Sequence, residues 1–281
     1  MFFKDSNKKY QLLKNDTVEV DGRILYRIKA LRSFFNVSKG DLGGYVESES
    51  NLSQDGDCWV YGNAMVYNNA VVKGDAKVLH HSMVFDSATI MGNSKVGYDA
   101  KVYGHAIVYN DAIISGRSKV YGDCRIGGYA RVCGESEVFD NAEIYCSSVI
   151  DSNSKVFGNA QISEHAYIGS NSCVFGYAKI GGHISILNNV SVHGYSEING
   201  YFSLRGNIDI QDKSDYIVFK NWWSSGRYFI WTRSDNMWTV GCFHGTGEEL
   251  IAKAYKDSEE SGRNYELIVK FVEENLLKSK E

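Results

Sequence analysis

The chain has 281 residues with 30 basic and 34 acidic side chains and a formal charge of −4, so no strong field points toward nucleic acid or an anionic membrane. No apolar run is long enough to span a bilayer, and the first residues lack an apolar core followed by a small-residue cleavage site, so neither a span nor a signal peptide is expected. Six Cys without a CxxC spacing argue against a disulfide framework and a structural zinc site and for a reducing, cytoplasmic location, while 28 Gly beside no Pro point to glycine used for its positive φ.

Residues 1–59 read as an N-terminal β cap with the lead-in to a repeat. Within it Lys9–Phe34 suggests short strands joined by an Asp21-Gly22 turn. Residues 60–210 are the repeat. From Val60 to Asp209 there are twenty-five hexads without insertion or deletion, and position 1 is Val, Ile or Leu in all of them. Position 5 is Ala, Ser or Cys in the first twenty, and position 3 is Gly in fourteen and Asn or Asp in five more. Positions 5 and 1 are two apart, so on an extended segment they face the same way, and positions 3 and 4 make a bend. A helix would need apolar spacings of three and four, which this run does not have. A fixed short period predicts a solenoid, here a triangular coil of three six-residue sides.

Position 2 gives the coil an independent check. Read at steps of eighteen it yields Tyr67, Phe85, Tyr103, Tyr121, Phe139, Phe157 and Phe175, while the other two such columns are mixed. Position 4 similarly gives Asn153, Asn171, Asn189 and Asn207. Equivalent residues therefore sit above one another, about 4.8 Å apart in successive coils.

Residues 211–281 read as a small α+β domain. "YIVFKNWW", "RYFIWTRS" and "MWTVGCF" suggest three antiparallel strands, and "GTGEELIAKAYKDS" and "NYELIVKFVEENLLKS" two amphipathic helices. In the second helix Leu267, Ile268, Phe271, Val272 and Leu276 fall on one predicted stripe. "GCFHGTGEEL" turns into a helix where an anion could sit, but Thr246 with Glu249 reads equally well as a capping box.

The [LIV]-x-x-x-[STA]-x pattern and the lead-in "GDLGGYVESESNLSQDGDCWVYGNA" (residues 40–64) resemble the YdcK-like branch of the hexapeptide-repeat left-handed β-helix proteins, over roughly residues 23–209. That branch is common in phage and prophage genomes and is assigned as transferases. The resemblance implies a mainly β fold: a single-strand left-handed triangular β-helix. Acyltransferases of this fold resemble one another in a catalytic His, a loop that breaks the repeat, and a trimer whose clefts hold the acyl donor. This chain departs from their pattern in placing Gly at position 3 rather than directly after the apolar residue, and in having no inserted loop within the repeat.

Three groups of residues are candidates for function. His165 and His183, eighteen apart with Tyr201 above, are the paired imidazoles that could act as general base in acyl transfer from acetyl-CoA or another acyl-CoA; the alternative is a surface stack with no cofactor. The seven-ring column from Tyr67 to Phe175 would form an apolar strip about 30 Å long. It could be an interface in a homo-oligomer (dimer or trimer), a purely structural ladder, or a seat for a foreign partner. Trp222, Trp223, Arg227, Trp231 and Trp238 are dense enough in the C-terminal segment that some are expected as binding residues and others as core. His80-His81 and Cys133 with Cys146 lack the spacing of a metal site. Thirteen acidic and eleven basic residues over 60–209 disfavour DNA mimicry or nucleic-acid binding. The favoured reading is a rigid, non-catalytic interaction scaffold, with a host protein as partner in the phage-type setting.

Overall fold

The computed structural model describes residues 8–277. Within them the repeat winds as a three-sided parallel β-solenoid. Each side of each coil is a two- or three-residue strand, with positions 6 and 1 at its centre. Lys77–Val78, Lys95–Val96 and Ile113–Ile114 pair in parallel on one face, each residue against its equivalent eighteen positions on. The three faces are sheets of twelve, nine and eight strands, the first including three strands of the N-terminal cap.

The chemistry of each position explains the coil. Position 1 side chains such as Val102, Ile114 and Val120 point into the prism and are fully buried. Small residues at position 5 fill the corners beside them. Where that residue is Ser, its hydroxyl has a partner: Ser82 donates to the Leu79 carbonyl (2.7 Å) and Ser136 to the Cys133 carbonyl (2.6 Å), while Ser172 accepts from the Val190 N–H (3.3 Å). A buried hydroxyl so satisfied is tolerated as readily as Ala. All twenty-five position-3 residues, glycine or not, have positive φ. The bend is thus a left-handed residue at every corner, which is why Gly, Asn and Asp dominate there.

Hydrogen bonds between coils are polarised along the rod. At most corners the N–H groups of positions 2, 4 and 6 donate to carbonyls of positions 1, 3 and 5 in the next coil, as in Tyr103 to Val120, His105 to Gly122 and Ile107 to Cys124 (2.8–3.0 Å). The first coil is therefore left with outward carbonyls and the last with outward N–H groups. The caps match this polarity. At the start Lys9, fully buried, donates from Nζ to the carbonyls of Cys58 (2.9 Å) and Gly56 (3.2 Å). Tyr10 donates its hydroxyl to Leu52 (2.6 Å), and Asn51 donates its amide to the carbonyls of Asn68 and Ala70 (both 2.9 Å). At the far end acceptors take over: Asp209 N–H donates to Ser234 Oγ (2.9 Å) and Gln211 N–H to the Asp215 carboxylate (2.8 Å). Trp59 closes the first coil from within, with Tyr10 and Phe34 edge-on to its ring. The cap strands β1 (Tyr10–Val20), β2 (Arg23–Ala30) and β3 (Leu42–Val46) are antiparallel to one another, and β3 joins the first face in parallel.

Beyond the solenoid the structure corrects three expectations. The C-terminal sheet has four antiparallel strands rather than three, because the chain reverses at Gly241-Cys242 and Phe243–Gly245 pairs back onto Met237–Val240. The first of these strands, Tyr216–Lys220, stops before the tryptophans, so Trp222 and Trp223 lie in the turn toward Tyr228–Thr232. The predicted apolar stripe of the second helix is divided. In α1 (Gly247–Asp257) and α2 (Glu259–Val272) the buried α2 residues include Tyr265, Val269 and Val272, while Leu267 and Phe271 face outward and are at least half exposed. The strand Tyr228–Thr232 has two duties by its period of two. Ile230 joins the solenoid core, and Phe229 and Trp231 join the separate core under the helices. Thr246 and Glu249 form the capping box of α1. No helix among the described residues is long and apolar enough to cross a membrane.

Candidate functional site

The coil register stacks each position-2 ring on its equivalent. From Tyr67 through Phe85, Tyr103, Tyr121, Phe139, Phe157 and Phe175 to His193, ring centroids are 4.8–5.1 Å apart and planes agree within 8°. Such stacking covers ring faces and leaves edges to solvent. Tyr67 is buried and the other six rings are half-buried. Burial pushes the Tyr121 hydroxyl up to about 12, aided by the Glu137 carboxylate, and the Tyr67 hydroxyl up to about 12, aided by Asp21 and Asp86. The column is thus a continuous ladder whose rings supply much of their own cover. It is a narrower strip than seven fully open rings would make.

On another corner, position 4 places Tyr129, His165, His183 and Tyr201 in one line. His165 stacks on His183 (4.4 Å) and His183 on Tyr201 (4.6 Å), all three exposed. Tyr201 carries this line into a 250 Å³ cleft between the last coil and the C-terminal sheet, whose walls also include Phe202, Arg227, Tyr228 and Thr239. The structure therefore places Arg227 in one cleft with Tyr201, the ring on which His183 stacks, while neither histidine lines that cleft. An exposed guanidinium in such a cleft can hold an anionic group. Other histidines have local partners: His105 with Asp123 (3.3 Å), His193 with Asp209 (3.1 Å), and His80 stacked on Tyr98.

The aromatic candidates of the C-terminal segment separate by burial. Trp231 and Trp238 are core residues, packed with Phe229 and Tyr265. Trp223 is half-buried, edge-on to Tyr265 (5.1 Å), and its indole N–H has no acceptor among the described residues. Trp222 stands out from it, 71 % exposed, and Arg227 is exposed on the same turn. Sequence reasoning passed over His244, which pairs across neighbouring strands (3.0 Å) with Thr239, a residue of the cleft wall. The signal for it would have been the fourth strand. Among the described residues no group of three or more His, Cys, Asp or Glu converges on a point where a metal could sit.

No protein-family model matches the chain. A stretch of 56 residues is 36 % identical to a protein named "Uncharacterized acetyltransferase YdcK" of Escherichia coli (strain K12). The match covers 20 % of this chain and 17 % of that relative's length. Together with the parallel solenoid, it fits the hexapeptide-repeat β-helix proteins.

Proposed function

We propose that the protein is a rigid interaction rod that is not itself a catalyst, and that its terminal domain and Tyr201–Arg227 cleft do the recognising. The observation that carries this reading is the unbroken register. From Trp59 to Ile210 each strand pairs with its equivalent eighteen residues away, so the two ends are held at a fixed separation. Recognition falls to what stands off the smooth faces: Trp222, Arg227, Tyr228 and the His183–Tyr201 stack. The partner in this reading is a protein, in a phage-type setting a host protein, and the ring ladder is the seam along which copies of the rod associate in the cytoplasm. In light scattering Tyr103→Asp and Tyr121→Asp then lower the mass to that of one chain. An unchanged mass removes the seam.

A second reading, acyl transfer from acetyl-CoA, is favoured by the short match to an acetyltransferase. In it His183 or His165 takes the proton of an acceptor hydroxyl or amine and Arg227 holds a phosphate of the donor. Thermal denaturation with and without acetyl-CoA decides between the two. The rod reading expects an unmoved midpoint. A clear rise, with turnover lost in His165→Ala and His183→Ala, replaces it with the enzyme.

A further inference from the structure

At the opposite end of the rod the faces are not smooth. A cleft of 480 Å³ opens on the corner and face that flank Cys58, between two aromatic outcrops. One wall is Phe35. It sits in the two-residue turn that Phe34 and Val37 close with mutual backbone hydrogen bonds (3.0 and 2.8 Å), and it has a φ of 41°. A left-handed backbone is uncommon for a bulky aromatic and costs energy. Here it holds a ring 69 % exposed, 3.5 Å above the Lys77 ammonium. The other wall is Tyr129, 67 % exposed.

Between these walls the solenoid lays out polar groups at its own period. Asp75, Asn93 and Asp111 occupy successive coils along the corner, leading to Tyr129 in the next coil. Lys77, Lys95 and Ile113 run parallel to them on the face, in direct register. Asn93 donates its amide to Asp111 (3.2 Å), and the Asp57 N–H donates to Asp75 (2.9 Å), so the acceptors are fixed in place. The floor therefore repeats a carboxylate or amide with an ammonium or methyl group once per coil, about every 4.8 Å.

This pattern selects a ligand class. Carboxylates along the corner oppose the phosphates of a nucleotide, and the two lysines oppose a polycation. Between its two rings the cleft is lined mostly by charged and amide side chains and it is open to solvent, unlike the enclosed apolar pocket a lipid needs. Neutral hydroxyl groups, which both donate and accept, match a floor of fixed acceptors and donors, and the C–H faces of pyranose rings match exposed aromatic rings. An extended chain of sugars, unlike a curved one, can follow a floor that repeats in a straight line about every 4.8 Å. We infer that this cleft binds a short extended oligosaccharide lying along the rod axis, with terminal rings on Phe35 and Tyr129 and hydroxyls on Asp75, Asn93, Asp111 and Lys95. The site is distinct from the Tyr201–Arg227 cleft and stands whether or not that cleft recognises a protein.

The test is isothermal titration of the full chain with chitotriose and cellotriose, with maltotriose, whose α-linkage curves the chain, as the contrast. The expected result is binding of one of the two extended trisaccharides at least several-fold tighter than maltotriose. Tyr129→Ala and Phe35→Gly then each weaken it by roughly tenfold or more, and Asp75→Asn weakens it less. Phe35→Gly removes the ring and relieves the backbone, so a loss of binding there is not a loss of folding. Tyr177→Ala, an exposed ring on a different corner, leaves binding unchanged. Failure of both extended sugars to bind at millimolar concentration overturns the proposal, and so does binding that is indifferent to Tyr129 and Phe35.

Discussion

Gly116 shows how much one position can carry. It has a φ of 73°, and a Cβ placed on it would lie 2.5 Å from the Gly134 carbonyl oxygen in the next coil. Gly226, in the C-terminal turn, has a similar φ of 67° with nothing within 4 Å. Gly226→Ala is expected to cost about 1–2 kcal/mol, the penalty of a left-handed alanine. Gly116→Ala adds displacement of backbone and is expected to cost clearly more; denaturant titration of the two variants isolates the close approach, and equal costs would show that the coils yield freely. The ring ladder has a signature at the same scale. Burial raises the Tyr67 and Tyr121 hydroxyls to about 12, so between about 10 and 12 the folded chain retains protons that the unfolded chain releases. Their contribution is present in full below pH 10 and is lost as pH rises through the folded values. Ultraviolet absorbance is expected to show a set of tyrosines ionising late and together with unfolding. Uniform ionisation near 10 would mean that the column is open to water.

Each end of the solenoid presents one kind of unpaired backbone group, and its cap supplies the opposite kind. Lys9→Met keeps most of the buried stem and removes the donor from the Gly56 and Cys58 carbonyls. Each carbonyl left dry costs about 1–3 kcal/mol, and contact between coils is nearest-neighbour. Hydrogen exchange is therefore expected to quicken in the first coils and stay unchanged around Val120. Even loss of protection along the rod would mean that the solenoid unfolds as one unit. The caps also mark where the sequence becomes hard to read. Position 1 and position 5 announce themselves because each coil imposes the same demand on Val78, Val96 and Ile114. Lys9 answers a demand made once, by backbone carbonyls that carry no sequence label. In the same way Trp222 and Trp231 are equal as letters and differ only in falling on a turn or on the covered side of a strand. Leu267 and Phe271 fit a helical stripe, but the sheet beneath α2 takes the Tyr265, Val269 and Val272 side instead. Tyr129 and Phe35 face each other across a cleft only because the cap turn folds back beside coils that come later in the chain.

At the scale of the whole molecule the governing quantity is phase. A residue's column is set by its position modulo eighteen, so chain can be removed without changing any side chain's surroundings only in units of one coil. Deleting residues 103–120 places Tyr121 directly after Val102, on the column above Phe85, and restores every register pair. That variant is expected to fold, to melt slightly lower, and to shorten in small-angle scattering by about 4.8 Å, one coil rise. Deleting residues 103–108 keeps position 1 apolar but advances all later coils by one face. Rings from Tyr121 onward then continue from a different corner, the caps at the two ends no longer share their phase, and the C-terminal sheet is turned by one side of the triangle relative to Phe35. If the interaction rod reading is right, this shorter deletion is the more damaging to any function that needs both ends, although it removes a third as much chain. A six-residue deletion that behaves like the eighteen-residue one would mean that the ends act separately and the rod only joins them.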